Sequence, residues 1–245
     1  MKPRILALIP ARGGSKRLPK KNTLPLGGRP LLEWTIGAAQ KSEVFCSILL
    51  STDDQLIADI GRNAGALVPW LRPSYLANDS AESVDVALHA LEWFEEESGP
   101  VDGLMLLQPT SPFRTATTIQ RAVKKFIQLN GRTVVSLSPS PIHPSWCFFL
   151  DNSNLKPCFD WEAVQNPSHN LSKTYILNGA IYLIRPQLLR QTKRFVDKDA
   201  FPLIMENPME GLDIDTPFDL QMAREICKNW PGDATKMDSL DNLAE

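Results

Sequence analysis

The sequence predicts an α/β fold built on a mainly parallel sheet, and three observations carry that reading. Short, uninterrupted apolar runs recur along the first half of the chain. Between them, apolar residues step at i, i+3, i+4 and i+7, the spacing of a helix with one buried stripe. A composition of 43% hydrophobic and 22% charged residues over 245 positions provides a large core without disulfide or metal staples. Strands that are apolar at every position must be covered on both faces, as in a parallel sheet flanked by helices.

Ile5-Leu6-Ala7-Leu8-Ile9 is the first such run. Pro30 suits the first position of a helix, where its fixed φ and missing N–H cost nothing, and Leu32, Thr35, Ile36 and Ala39 give that helix its buried face. Ser47 to Ser51 is the second strand. Thr52, with Gln55 three residues on, reads as a capping box for a helix through Leu56, Ile57 and Ile60. Gly65 ends that helix, where a left-handed residue is wanted. Ala66-Leu67-Val68 is expected as a short third strand. Val84, Ala87, Leu88 and Leu91 mark the next helix, and Gly103 to Leu107 the next strand. Thr115 opens a helix whose expected inner face is Ile119, Ala122, Val123, Phe126 and Ile127, and Thr133 to Leu137 follows as a strand.

Between Ser138 and Ser172, Pro139, Pro141, Pro144, Pro157 and Pro167 interrupt every period. A long irregular stretch in a compact domain usually serves function or an interface. Gly179 to Ile184 is again a strand. From Trp230 the chain is polar, with Pro231 and Gly232, and reads as a loosely held tail. The expected organisation is a single domain over 1–229, with 138–178 as an irregular insertion, and a tail over 230–245.

Charge and cysteine usage exclude several classes. The 26 Lys and Arg against 28 Asp and Glu leave a net charge of −2, which excludes a globally basic nucleic-acid binder. No apolar run reaches the ~18 residues of a membrane span. The run after Met1-Lys2-Pro3-Arg4 stops at Pro10, too short for a signal-peptide core. Cys46, Cys147, Cys158 and Cys227 lack CxxC spacing and read as reduced thiols of a cytoplasmic protein. His89 lies among helical apolar residues, and His143 and His169 lie near prolines, so no Ser-His-Asp arrangement is indicated.

Ligands of open α/β sheets bind outside the carboxyl ends of the strands, so the segment leaving the first strand is the first place to seek chemistry. It runs from Pro10 through Arg12-Gly13-Gly14-Ser15-Lys16-Arg17 to Lys20-Lys21-Asn22. Glycines let backbone N–H groups approach an anion, and Arg and Lys supply charge and donors. The spacing fits neither a Walker A loop nor GxGxxG; a polyphosphate is the expected ligand. Near the other end, Asp213-Ile214-Asp215 would place two acids on one strand face, roughly 7 Å apart, an arrangement that suits Mg²⁺ held with substrate phosphates. Thr216-Pro217-Phe218-Asp219 is a helix start, with Asp219 as a cap. Leu107 to Arg114 and Arg72 to Asp79, the latter leading to the helix that bears Ser83, point toward the same cleft with an amide, hydroxyls and guanidinium groups.

Taken in order, Ile9 to Lys16 with Lys21-Asn22, Ser51-Thr52-Asp53-Asp54, Arg72-Pro73, Leu76-Ala77 with Asp79, Leu107 to Arg114, Asn178 to Tyr182 and Asp213-Ile214-Asp215 resemble the CMP-sugar synthetases of the acylneuraminate cytidylyltransferase type, over roughly residues 4 to 228. The resemblance implies a Rossmann-like, three-layer nucleotidyltransferase fold and a homodimer whose irregular segment reaches the partner. It also implies Mg²⁺ as cofactor, and CTP and a nonulosonic acid of the sialic or legionaminic type as substrates, giving a CMP-sugar and pyrophosphate. Carried over position by position, it implies catalytic roles for Arg12, Lys21 and Asp215. Nucleotide contacts would come from Arg12, Gly14, Ser15, Lys16, Lys21, Asn22, Arg72 and Ser83. Sugar contacts would come from Gln108, Thr110, Asn178, Tyr182 and Phe201, and metal contacts from Asp213 and Asp215. Ser168-His169-Asn170-Leu171-Ser172 departs from the Arg-Gln that many sialic-acid members carry there, which makes legionaminate a candidate substrate. The Gln108 to Pro112 loop argues against the pseudaminate branch. Two other readings stay open on residues alone: a glycosyltransferase using Asp-x-Asp, and a non-catalytic nucleotide-binding module.

Overall fold

The computed structural model describes residues 2–230. In chain order the first half contains β1 (Ile5–Pro10), β2 (Pro25–Leu26), β3 (Arg29–Pro30), α1 (Leu31–Ser42), β4 (Ser47–Ser51), α2 (Gln55–Asn63), α3 (Ser83–Ser98), β5 (Gly103–Leu106) and α4 (Ala116–Gln128). The second half contains β6 (Val134–Pro139), β7 (Phe148–Asp151), β8 (Asn154–Pro157), α5 (Trp161–Gln165), β9 (Tyr175–Ile184), α6 (Pro186–Thr192), β10 (Phe201–Ile204) and α7 (Pro217–Lys228). Among the described residues the main sheet has six strands in the order β10-β6-β9-β5-β1-β4. β1 runs parallel to β4 and β5, and β6 parallel to β10, while β9 is antiparallel to both its neighbours.

The period-two alternation of β1 sorts its side chains into two layers. Ile5, Ala7 and Ile9 pack with Leu32 and Ile36 of α1, Ile57 of α2, and Ile119 and Phe126 of α4. Leu6 and Leu8 face the other way, onto Val84, Ala87 and Leu91 of α3 and Leu189 of α6. Full burial of each such Leu or Ile contributes about 1.5–3 kcal/mol, which is why the sheet is covered on both faces. A third cluster joins Leu18, Leu26, Leu31 and Phe113 to Ile214, Leu220 and Ala223, and so seats α7 and the segment before it beneath the loop that follows β1.

Several local expectations are corrected. Ala66 to Val68 is not a strand: after Gly65, at φ +85°, only Leu67 bridges to Leu49 before Pro69 turns the chain. Pro30 precedes α1 in an extended conformation rather than opening it. α2 is capped by Asp54, whose carboxylate accepts from the Ile57 N–H at 3.0 Å, so the Thr52–Gln55 box does not form. Asp54 stands directly before the helix, whereas Thr52 is buried and its hydroxyl accepts from the Asp54 N–H. Ile127 is 48% exposed, because the inward stripe of α4 is complete at Phe126. The stretch over 138–178 is also more ordered than its prolines suggest. It contains the β7–β8 hairpin, closed by Asn152 and Ser153 at positive φ, together with α5 and the start of β9. Two positive-φ residues match a two-residue hairpin turn, but Asn-Ser is a weaker signal for it than Asn-Gly. Trp230 packs on Phe113 with ring centroids 4.9 Å apart and is not loosely held; the rest of the expected tail, 231–245, lies outside the described residues.

At the start of α7 the capping box is present as expected. The Thr216 hydroxyl accepts from the Asp219 N–H and the Asp219 carboxylate accepts from the Thr216 N–H at 2.7 Å. Thr216→Ala is expected to cost about 1 kcal/mol and to lower the calorimetric melting temperature by about 2–4 °C. An unchanged melting temperature would remove this cap from the account.

Candidate active site

A cleft of about 580 Å³ opens at the carboxyl ends of β1, β4 and β5. One wall is the loop after β1, which contributes Arg12, Ser15, Lys16, Lys21 and Asn22. Arg72 and Ser83 line the side toward α3, and Gln108 and Thr110 line the end of β5. Asp215 reaches the same cleft from the segment before α7. Residues from both ends of the chain therefore converge on one crevice.

The loop is shaped by local constraints. Gly13 donates its N–H to Asp53 Oδ1 at 3.0 Å, and a Cβ there would stand 2.9 Å from the Asp54 side chain, so this position requires glycine. Gly14 meets nothing within 4 Å and does not line the cleft, so of the adjacent glycines only the first is sterically obliged. Lys20 adopts a left-handed conformation (φ 56°) that turns the chain into the helical turn Lys21–Thr23. Asn22 is buried, and its amide donates to the Arg12 carbonyl at 3.0 Å, closing the loop on itself.

Arg72 is also buried, at 7% exposure. Its guanidinium donates to the Ser51 hydroxyl at 3.0 Å, to the Ser51 carbonyl and to the Leu76 carbonyl at 3.3 Å. Burial brings its pKa down to about 10, and Arg12 adds to the effect, while the Asp53 carboxylate opposes it; the group stays cationic at neutral pH.

The acidic side is set by Asp213 and Asp215. They are not on a strand: the segment makes no ladder, and Ile214 holds it by donating its N–H to the Thr110 carbonyl at 2.8 Å. Ile214 is fully buried. Asp215 accepts from Lys21 Nζ at 2.6 Å and pairs with Arg17 at 3.0 Å. Asp213 reaches the surface but does not line the cleft. Loss of water around its carboxyl holds its pKa above the ordinary value, and the neighbouring charge of Asp215 adds to this, against the Thr110 hydroxyl and Lys21. Among the described residues no three His, Cys, Asp or Glu side chains are grouped to hold a metal ion.

Other expected residues stand elsewhere. Asn178 lies behind the cleft, at a bulge where β9 shifts register against β6 around Gly179, at φ +75°. Its Oδ1 accepts from the Ser136 hydroxyl at 2.6 Å and the Ala180 N–H at 3.1 Å, and its Nδ2 donates to the Ser138 hydroxyl at 2.9 Å, so its polar atoms are spent inside the fold. Tyr182 packs against Phe195, and burial together with the Asp213 charge raises its pKa. Phe201 pairs with Val134 at the amino end of the sheet, opposite the cleft, with Lys125 over its ring. Parallel strand direction separates the two ends, and sequence position alone does not tell which end a strand-initial aromatic occupies.

Arg114 is corrected as well. Rather than facing the cleft it is 2% exposed and donates to the Ala180 carbonyl at 2.7 Å and the Thr35 hydroxyl at 3.1 Å. Burial lowers its pKa to about 9, with Glu210 opposing. It braces the Gln108 loop against β9 and α1. Arg17, Asp53 and Asp79 appear in the sequence only as members of motifs, with no role of their own; here Arg17 of the loop pairs with Asp215, while Asp53 accepts from the Gly13 N–H and Asp79 pairs with Arg12. Arg17 was discoverable as a member of the cationic run. His89 is packed edge-on against Trp70, as its helical setting indicated, and burial lowers its pKa.

A cleft lined by cations from one strand end and a carboxylate from a remote segment is equipped to hold an anion of several charges. The comparisons with known proteins agree with that geometry. A family model described as Cytidylyltransferase matches residues 6–230. The chain is 40% identical over 227 residues to the CMP-N,N'-diacetyllegionaminic acid synthase of Legionella pneumophila, covering 91% of this chain and 96% of that protein. It is 37% identical to an Escherichia coli N-acylneuraminate cytidylyltransferase over 92% of this chain, although over only 52% of that larger protein. A Campylobacter jejuni pseudaminic acid cytidylyltransferase is 30% identical over 91% of this chain and 96% of its own length. Among solved structures, a CMP:2-keto-3-deoxy-manno-octonic acid synthetase complexed with CTP superposes with a TM-score of 0.69 at 16% identity, covering 92% of this chain and 99% of that one. It supports the three-layer fold alone. With the match running from the first strand of the sheet through the last described helix, the chain belongs to the cytidylyltransferase family.

Proposed function

We propose that this chain is a CMP-nonulosonic acid synthetase, which joins CTP to a sugar acid of the legionaminic or sialic type and releases pyrophosphate. The observation that carries the reading is the meeting of the loop after β1 with Asp215 in one cleft, through a Lys21–Asp215 contact between residues 194 apart in sequence. The names of the relatives supply the substrate class, and the 40% identity to the legionaminic enzyme, together with the Ser168 to Ser172 departure, favours legionaminate.

In this reading the anomeric C2 hydroxyl of the sugar attacks the α-phosphorus and gives up its proton to solvent, and the bond to pyrophosphate breaks as the new P–O bond forms. Such transfers depend on positioning and on neutralising charge. Arg12, Lys16 and Lys21 take up charge on the departing phosphates, with Ser15 as a further donor. Arg72, Asn22 and Ser83 face the base, and Gln108 and Thr110 face the sugar. Asp213 and Asp215 are the carboxylates that would hold Mg²⁺, an ion usually held by one or two carboxylates and completed by substrate phosphates; Asp215 faces the cleft, and Asp213 stands two residues away beside it. When bound, the ion supplies neutralisation of the phosphate oxygens. The exposed Phe149, Leu150, Leu155 and Phe159 around the β7–β8 hairpin fit a second copy of the chain as partner.

The test is pyrophosphate release by purified protein with Mg²⁺, each of the four nucleoside triphosphates and a panel of nonulosonic acids. Release with CTP and a legionaminic or sialic acid is expected. Release with no sugar acid, or a CMP-sugar consumed rather than made, overturns the proposal.

A further inference from the structure

The cations of the loop after β1 are held from two sides. Asp215 takes Lys21 and Arg17, as described. On the opposite wall Asp79 pairs with Arg12 at 3.1 Å and with Lys16 at 2.5 Å. Asp79 is absent from the set of nucleotide, sugar and metal residues proposed above, yet it engages two of the side chains assigned to phosphate. Its turn is well fixed: the Asn78 amide donates to the Tyr75 carbonyl at 3.1 Å, and its oxygen accepts from the Ser80 N–H at 3.0 Å and the Ser80 hydroxyl at 2.8 Å. Arg12 also donates to the Asn78 carbonyl at 3.4 Å. The hydrogen bond from Lys16 and the charges of Lys16 and Arg12 hold the Asp79 carboxyl below the usual carboxylate range, so it is ionised at neutral pH.

A carboxylate that accepts from a guanidinium and an ammonium offers those donors the same kind of anionic oxygen acceptors as a phosphate. Both ion pairs are open to water, with 52% of the Asp79 side chain and 77% of the Lys16 side chain exposed. Exposed pairs of this kind are weak and exchange partners readily. A polyphosphate, with several charges against one, is the stronger competitor.

We infer that Asp79 is a positioning residue that competes with phosphate for Arg12 and Lys16, limiting the affinity of the cleft for polyphosphate and drawing these cations back to the wall as pyrophosphate departs. The inference rests on the proposed phosphate role of the loop. It differs from a structural role in sign, because a residue needed only to shape the loop would weaken binding when replaced.

Isothermal titration of the full chain with inorganic pyrophosphate, at low and at high salt, tests this with the wild type, Asp79→Asn and Asp79→Glu. Coulomb's law in water gives about five-fold for one charge about 4 Å from one phosphate charge, and the further charges of pyrophosphate add to it, so Asp79→Asn is expected to bind pyrophosphate about 5- to 10-fold tighter than wild type. The gap narrows at high salt, and Asp79→Glu, which restores the charge, returns toward the wild-type value. Product inhibition by pyrophosphate strengthens in parallel in Asp79→Asn. Equal or weaker binding by Asp79→Asn, with the wild type binding measurably, overturns the competition while leaving the phosphate loop intact. If neither protein binds pyrophosphate although both melt cooperatively, the phosphate reading falls and this inference falls with it.

Discussion

Lys21→Ala is expected to lower turnover at least ~100-fold, the loss typical of removing a main electrostatic catalyst. Lys21 is the most enclosed of the loop cations that pair with a carboxylate, with 15% of its side chain exposed against 74% for Arg17 and 77% for Lys16. Enclosure raises the value of its charge, since water screens it less. It also stands at the junction of the two arms of the cleft, touching Asp215 at 2.6 Å. A phosphate that replaced this contact would gain an ammonium already held in place, with little reorganisation as charge develops. The measurement is steady-state pyrophosphate release, alongside a thermal melt to establish that the variant folds. Near-normal kcat in a folded Lys21→Ala protein would remove the residue from the mechanism.

Asp215→Asn should be equally severe, at least ~100-fold in kcat, for the opposite electrostatic reason. The substitution keeps the size of the side chain and removes its charge. Lys21 and Arg17 then lose the carboxylate that aligns them, and the acidic pair is reduced to Asp213 alone. Two consequences separate this from loss of fold. The dependence of the rate on Mg²⁺ concentration should shift to higher concentrations, because half of the proposed carboxylate pair is gone. The variant should still melt cooperatively with only a modest drop in melting temperature, because the Arg17 pair is exposed and only the Lys21 side of the other pair is enclosed. A variant with wild-type turnover and wild-type Mg²⁺ dependence would dissociate Asp215 from both roles.

Much of the fold was legible because its signals are local. The continuous apolar run Ile5 to Ile9 and the stripe Leu32, Thr35, Ile36 and Ala39 state their burial directly, and all of these residues are buried. The failures have equally local causes. Two acids and a threonine preceded α2, and pattern reasoning chose Thr52 where the backbone placed Asp54 at the cap. Proline density hid the β7–β8 hairpin, since its turn is Asn152-Ser153 and carries no glycine. A guanidinium at a strand end can bind a ligand or brace a loop, and nothing in Leu107 to Arg114 distinguishes the two; burial made Arg114 a brace.

By itself the sequence determined most strands and helices of the first half, that a cationic loop leaves the first strand and that an acidic pair lies near the far end, because each is written in the spacing and charge of neighbouring residues. Only the tertiary structure decided partners. It set Lys21 against Asp215, Lys16 against Asp79 and Asn178 into a bulge rather than a cleft. The physical reason is the order of the sheet. Strand sequence β10-β6-β9-β5-β1-β4, with β9 reversed, fixes which remote ends become neighbours. That order is set by the packing of whole layers, which no local periodicity encodes.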